Sequence, residues 1–427
     1  MTATDRRASG AHAAQARHAA GNGPTQSVGS GDDAGIFVER PATIWDAVPP
    51  LSPRSEREAE FYALRDGEML LNLGPQHPST HGVLRVVVKI RGENVVDLDP
   101  VIGYLHRGVE KICEHSDYHM CISQCDPLDY ISALHNEWAP VMAFEQLFDV
   151  RVPRRAEFIR VLVAELNRIY SHNLFMGWLA LDIGALTPVL YSFIERDEIV
   201  EMLAALTGQR ILFNYMRVGG VNWDLNHEFM SRLGDWMSHA LRQVDANATL
   251  LNENEIFVKR TRGLGVIDGR TATALEMTGP NLRASGVPFD VRRAHPFSVY
   301  PELDFEVPVR EEGDTYARYL VRVDEIKQSM RIIDQLINTI PDGPVMAKMP
   351  RRMTPRPGRA WAAIESPRGL YGCYAISDGT SHPYRMRIHD PSFNNLQSLG
   401  PLSEGALIQD AIAVLASLDP VMGGVDK

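Results

Sequence analysis

Across the middle of the chain, apolar positions recur at helical spacing in three long runs. The first opens at Pro153 and places Ile159, Leu162, Val163, Leu166, Ile169 and Phe175 on one face before Gly184. A second, Asp224–Leu251, carries Phe229, Leu233, Trp236, Ala240, Val244, Ala248 and Leu251. The third begins at Asp314, points Leu320, Val323, Ile326, Met330, Ile333 and Ile337 inwards, and stops at Pro341-Asp342-Gly343-Pro344. Ser55–Leu64, Arg107–His115, Leu128–Gln146 and Leu402–Leu415 are shorter helical patterns. Elsewhere the period changes. Glu68–Leu73 and Val83–Arg91 read as strands joined by the loop Gly74–Gly82, and Ala360–Ile376 as two strands around a Pro-Arg-Gly turn. The prediction is an α+β fold, with a helical core over 100–340 and small β elements near both ends.

The chain has 427 residues, and 1 to about 36 hold almost no large apolar side chain. Such a segment cannot bury enough surface to offset its ordering entropy, so 1–40 is expected to be a disordered tail. Residues 41–427 are expected to form one domain, with parts at 68–91, 100–340, a linker at 341–358, and 359–427. Phe175–Ile194 approaches transmembrane length but contains Asp182, Gly184 and Pro188. It reads as a deeply buried core helix that breaks near Pro188, in preference to a bilayer span. The net charge of -11 lacks the clustered positive charge that nucleic-acid binding requires. Cys113, Cys121, Cys125 and Cys373 fit neither a zinc ribbon nor a cluster-binding motif, and read as reduced core thiols. A glycine-rich dinucleotide motif is likewise missing, so the chain is expected to bind no metal, cluster, NADH or FMN itself.

Candidate chemistry concentrates in the loop that joins the first two strands. His77, Ser79, Thr80 and His81 fall within nine residues, and Pro78 prevents the two histidines from sharing a regular helix. They read as solvated histidines on a rigid turn, as a proton-donating tip, or as part of a zinc site for which no third ligand is obvious. Asp182 stands out because a carboxylate in an apolar helix must be neutral or paired. Tyr130, in an apolar helical pattern, reads first as a core tyrosine.

The run LNLGPQHPSTHGVLR is followed in order by IGYLHRGVEK, LDY, AELNRIYSH, ALDIGALTP, YMRVGGV, GPNLRASG, YARYLVRVDEIKQS, ESPRG, SDGTSHPYR, DPSFNNLQ and the terminal DPVMGGVDK. This series resembles the 49-kDa-type (D) subunits of respiratory NADH:quinone oxidoreductase, complex I, from about residue 68 to 427. That family is similar in fold to the large subunit of nickel–iron hydrogenases, where two cysteine pairs hold the metals. Here the final pair would fall at Val421 and Gly424, which offer no ligand, and the first near Met120–Cys125, where the cysteines are spaced x3.

The resemblance implies a peripheral-arm subunit of a proton-pumping translocase that forms a quinone pocket with a neighbouring iron–sulfur subunit. Electrons would come from NADH through FMN and Fe–S clusters on partner chains. His81 and Tyr130 would contact the quinone oxygens, with Asp182 paired to His81. His77 and Thr80 would line the pocket, and Arg107 and Arg217 would face the pocket or the partner's terminal cluster. Expected partners are the iron–sulfur B subunit, the C and I subunits and the membrane-embedded H subunit. Association with the cell membrane would be peripheral, through those partners, on the cytoplasmic side. Pro127 replaces the family's usual arginine, Leu212 a histidine and His382 an arginine, and the stretch from Ile340 to Trp361 is expected to be shorter than in typical relatives. These departures admit two other readings: a divergent scaffold paralogue, or a subunit of a related ferredoxin- or deazaflavin-dependent enzyme.

Overall fold

Near the start of the described part of the chain three strands form an antiparallel sheet, whose apolar residues face the C-terminal helices. A computed structural model describes residues 60–77, 82–350 and 353–427, all within a unit that spans 50–427. The expected disordered tail lies outside the described residues, as do Thr80 and His81. Strands β1 (Glu68–Leu73) and β2 (Arg85–Arg91) pair as expected, with Leu73 opposite Val86. A third strand, β3 (Asn94–Val101), was not anticipated. Its acidic residues obscure the alternation, and Pro100 sits at the end of an edge strand, where no ladder hydrogen bond is lost. Leu84, Val86, Val88, Val95 and Leu98 pack against Leu399, Val414, Leu418 and Met422, so this sheet lies on the C-terminal helices.

Helices α1 (Val109–Cys113), α2 (Tyr118–Cys125) and α3 (Ala133–Phe148) follow, then α4 (Arg154–Asp182). Pro153 is the N-cap of α4, as the sequence indicates. Gly184, at φ +99, ends the helical path, and α5 begins at Leu186 and runs to Thr207. The expected break at Pro188 is therefore misplaced: Pro188 sits in the first turn of α5, where its missing N–H costs nothing. The expectation of deep burial holds only for the first half. Phe175, Met176 and Leu179 are buried, whereas Leu186, Leu190, Tyr191 and Ile194 are more than half exposed. Among the described residues no helix is long and apolar enough to cross a membrane.

The expected helix over Asp224–Leu251 is two, α6 (His227–Met237) and α7 (Ala240–Asn252). Ser238 Oγ and the His239 ring both bond the Asp235 carbonyl and compete with the helical ladder. Asp314 caps α8 (Thr315–Thr339) by accepting from the Ala317 N–H at 2.7 Å. After the loop come β4 (Gly358–Ser366), β5 (Gly369–Ser377) and the unanticipated β6 (Arg385–His389), then α9 (Ile408–Leu418) and α10 (Met422–Asp426).

Helix α4 runs through the middle of the molecule and carries charge on faces that meet other elements. Glu165 accepts from Tyr300, Ser329, Arg168 and Arg292, all buried. Burial would raise its pKa, but Arg168 and Arg292 outweigh burial and hold it at about 2. His172 Nε2 lies 2.9 Å from Glu325 Oε2 on α8, and Glu325 Oε1 accepts from Arg283 Nη2 at 2.6 Å. Arg283 Nη1 reaches Glu365 on β4 at 2.7 Å. Elements far apart in sequence are thus joined by buried ion pairs, each costly to desolvate and each costly to break singly.

One consequence is a pH dependence of stability. Burial holds the His172 pKa at about 4, below its ordinary 6.5, so the folded imidazole is neutral and donates Nε2–H to Glu325. The unfolded chain binds the proton more readily between those two values. The contribution of His172 is therefore complete above about pH 6.5 and lost as pH falls towards about 4. Between about pH 7 and pH 5 the loss is on the order of 2 kcal/mol. A His172→Gln protein, which keeps an N–H donor but cannot titrate, is expected to show a shallower fall in thermal midpoint over that interval. Equal falls in the two proteins would refute the assignment.

Candidate functional site

Tyr130 is not in a helix. Residues Asp126–Asp129 form one 3-10 turn, and α3 begins only at Ala133. The expected helix over Leu128–Gln146 is thus interrupted, because Asp129 turns its carboxylate back to the Ile131 N–H and Ser132 Oγ. That interruption leaves Tyr130 about half exposed, at 51%, so its expected place as a core tyrosine is incorrect. Pro127 occupies the first turn of the 3-10 segment, a position that suits proline, and its carbonyl accepts from Arg107 Nη2 at 3.3 Å.

Beneath Tyr130 lies a rigid buried charge cluster. Arg368 Nη1 donates to Asp129 Oδ2 at 2.7 Å and to Ser171 Oγ of α4 at 3.1 Å. Its Nε donates to the Asp419 carbonyl at 2.9 Å and its Nη2 to Asp419 Oδ1 at 3.2 Å. Arg368 is placed by the β4–β5 turn. Gly369 has φ +127, and a Cβ there would sit 2.6 Å from the Gly279 nitrogen, so only glycine permits this approach. Partial burial and the Asp129 carboxylate push the Tyr130 phenol pKa upwards, so the tyrosine is protonated at neutral pH.

The C-terminal helix α10 closes the cluster. A Cβ on Gly423 would meet the Leu128 carbonyl at 2.6 Å, which shows how closely α10 approaches the 3-10 turn. A Cβ on Gly424 would lie 2.1 Å from Asp390 Oδ2, so the space that a cysteine would need is filled by a carboxylate. Asp426 accepts from the Gly103 and Leu105 N–H groups at 2.8 and 2.7 Å, which anchors the loop that carries Arg107. Gly82 faces the Met422 side chain, with a Cβ there 3.7 Å from Met422 Cγ. The described end of the 74–82 loop therefore reaches the same helix that packs beneath Tyr130. His77 is exposed and forms an isolated β-bridge with Gly82.

The remaining expected site residues stand apart from this cluster in sequence. Asp182 is the last residue of α4, about 16 Å along the helix axis from Ser171. It lies partly buried at the negative end of the helix dipole, not inside an apolar helix as expected. Arg217 belongs to a two-residue ribbon, Met216–Arg217 with Gly220–Val221. Its guanidinium donates to Asn214 Oδ1 at 2.6 Å and Asn222 Oδ1 at 3.0 Å, and its charge acts on the buried Asp126 and Glu137 without a direct hydrogen bond to either. Leu212 packs on the apolar core. All four cysteines are buried and free, and among the described residues no group of three or more His, Cys, Asp or Glu could hold a metal ion.

Sequence reasoning missed Arg368, Asp129, Asp419 and Asp390. Each is charged and at least 92% buried, which no periodicity reveals. The signal available was their position inside the matched runs LDY, ESPRG, DPSFNNLQ and DPVMGGVDK.

A family model described as the respiratory-chain NADH dehydrogenase 49 Kd subunit matches residues 182–358 and 351–427. The D subunit of the NADH-quinone oxidoreductase of Clostridium beijerinckii is 44% identical over 364 residues, 85% of this chain and 98% of that protein. That of Geobacillus thermodenitrificans is 46% identical over 85% of this chain and all of its own length, and the D 2 subunit of Solibacter usitatus is 45% identical over 84% of this chain and 97% of its own. The chain belongs to the 49-kDa subunit family of the respiratory-chain NADH dehydrogenase.

Proposed function

We propose that this chain forms, with a neighbouring iron–sulfur subunit, the quinone-reduction pocket of a proton-pumping NADH:quinone oxidoreductase. The observation that carries the reading is Tyr130, a protonated phenol held half exposed over the buried cluster Asp129–Arg368–Asp419. Quinone reduction consumes two electrons and two protons. The electrons reach the pocket from NADH through FMN and Fe–S clusters on other chains. The phenol donates a hydrogen bond to one quinone oxygen as negative charge builds there, and His81 serves the other. Asp182, partly buried at a helix C-terminus, gains most from a cationic partner, which suits a pairing with His81. His77 and Thr80, from the same loop, are the further candidates to contact the quinone.

Arg107 and Arg217 lie towards the electron donor. Neither guanidinium hydrogen-bonds a carboxylate among the described residues, and their positive charge favours a reduced, more negative partner cluster. The exposed apolar residues Leu186, Leu190, Tyr191 and Ile194 of α5 make a surface that a lone soluble protein would not keep bare, consistent with cover by partners such as the B, C, I and H subunits. Through them the chain sits peripherally on the cytoplasmic face of the cell membrane. Pro127 occupies the first turn of the 3-10 segment that leads to Tyr130, which supports the quinone-site reading over a scaffold paralogue. The exchange Tyr130→Phe in the assembled enzyme tests the reading.

A further inference from the structure

Asp126 and Glu137 are a second pair of acids outside the Tyr130 cluster, 2% and 0% exposed. Glu137 Oε2 accepts from the Tyr215 N–H at 2.8 Å and the Met216 N–H at 2.6 Å, and Asp126 Oδ2 from the Asn214 N–H at 3.2 Å. Both carboxyls therefore clamp the backbone that leads to Arg217. Their remaining oxygens, Asp126 Oδ1 and Glu137 Oε1, are buried and receive no N–H or hydroxyl donor. The two side chains instead lie within hydrogen-bonding reach of each other. Two carboxylates cannot face each other at that range in a dry interior with both ionised, so the pair must hold at least one proton. Burial, and for Asp126 the charge of Glu137, push both acids upwards, with Glu137 at about 7. Arg217 is the charged side chain that acts on both of them, pulling in the opposite direction, and Tyr215 is the other titratable group beside Glu137.

We propose that Asp126 and Glu137 form a proton-sharing carboxyl pair that takes up a second proton when negative charge is added at the face presented by Arg217. The coupling rests on the reading above, in which that face lies towards an iron–sulfur cluster of the partner. In the oxidised state the pair holds one proton and one negative charge. An electron that arrives on the cluster adds one unit of negative charge and weakens the hold of Arg217 on the carboxylate. One solvent proton then converts that carboxylate to a second carboxylic acid. Only an O–H bond forms, and the electron remains on the cluster until it passes to quinone. The pair is thus a proton-binding site adjacent to the electron entry, on residues that do not touch the quinone.

The test is infrared difference spectroscopy on the intact complex in membranes, with Glu137→Gln and Asp126→Asn as variants. Glu137→Gln keeps an amide oxygen for the Tyr215 and Met216 N–H groups, and Asp126→Asn serves if the first variant does not assemble. Without any reductant, a change from acid to alkaline pH is expected to remove a deuterium-sensitive carboxylic acid band in the wild type. Dithionite reduction at constant pH is expected to increase a carboxylic acid band. Both signals are expected to be lost in each variant that assembles. A pH-dependent band unchanged in the variants overturns the pair, and a reduction-induced band unchanged in them overturns the coupling. A pH-dependent band that behaves as expected, in a complex whose clusters NADH does not reduce, would instead contradict the NADH dehydrogenase reading and leave the pair standing.

Discussion

Tyr130→Phe is expected to lower the NADH:quinone rate of the assembled enzyme by about 10²-fold or more, within the range that a positioned proton donor contributes. The ring remains and only the phenol O–H is lost. Asp129 and Arg368 satisfy each other at 2.7 Å, so the cluster beneath does not depend on that hydroxyl. Assembly, and NADH oxidation by a hydrophilic artificial acceptor, are therefore expected to stay at wild-type levels. The measurement compares the two rates in the same membranes. A variant that keeps its full quinone rate would remove Tyr130 from the mechanism, and one that loses both rates would show a structural role instead.

Arg283→Leu is expected to be the most damaging single exchange in the interior. Arg283 donates to Glu325 at 2.6 Å and to Glu365 at 2.7 Å, and lies 3.8 Å from Asp290, with all four side chains fully buried. Leucine would leave these acids short of their cation in a medium that cannot solvate them. Breaking one partner of a buried pair costs about 3–5 kcal/mol, a large share of the stability of a typical domain. The chain is expected to fall sharply in abundance in membranes and to lose its thermal transition at growth temperature. As a control, Arg210→Leu removes the exposed pairs with Asp197 and Glu201 and is expected to leave both readouts unchanged. Equal abundance of the two variants would mean that the buried ion pairs do not hold the core.

Helical periodicity located α4 and α8 almost to the residue, because Pro153 and Asp314 are unambiguous start signals. It failed where side chains compete with the ladder, at Ser238 and His239 and at Asp129, and it misplaced the break after α4 because Gly184 is a weaker sequence signal than Pro188. Strand β3 escaped notice because its acidic residues and Pro100 break the alternation, and β6 because its alternating run, Arg385–His389, is only five residues long. Tyr130 was legible only through the resemblance of its motif, since its exposure depends on the 3-10 turn. The cluster beneath it was not legible from periodicity. Arg368 reaches Asp129 across 239 residues of sequence, and such pairings follow from packing that no local pattern encodes. Asp126 and Glu137 were hidden for the same reason, since their third element is the 214–216 backbone.

The central claim, that this chain builds the quinone pocket, is tested most directly by photoaffinity labelling. A quinone with a photoreactive headgroup would be irradiated in the intact complex and the modified peptides sequenced. Labelling that an excess of native quinone suppresses, on peptides containing Tyr130 or the 74–82 loop, is the predicted result. Suppressible labelling confined to other subunits, or to segments of this chain remote from Tyr130, would contradict the account.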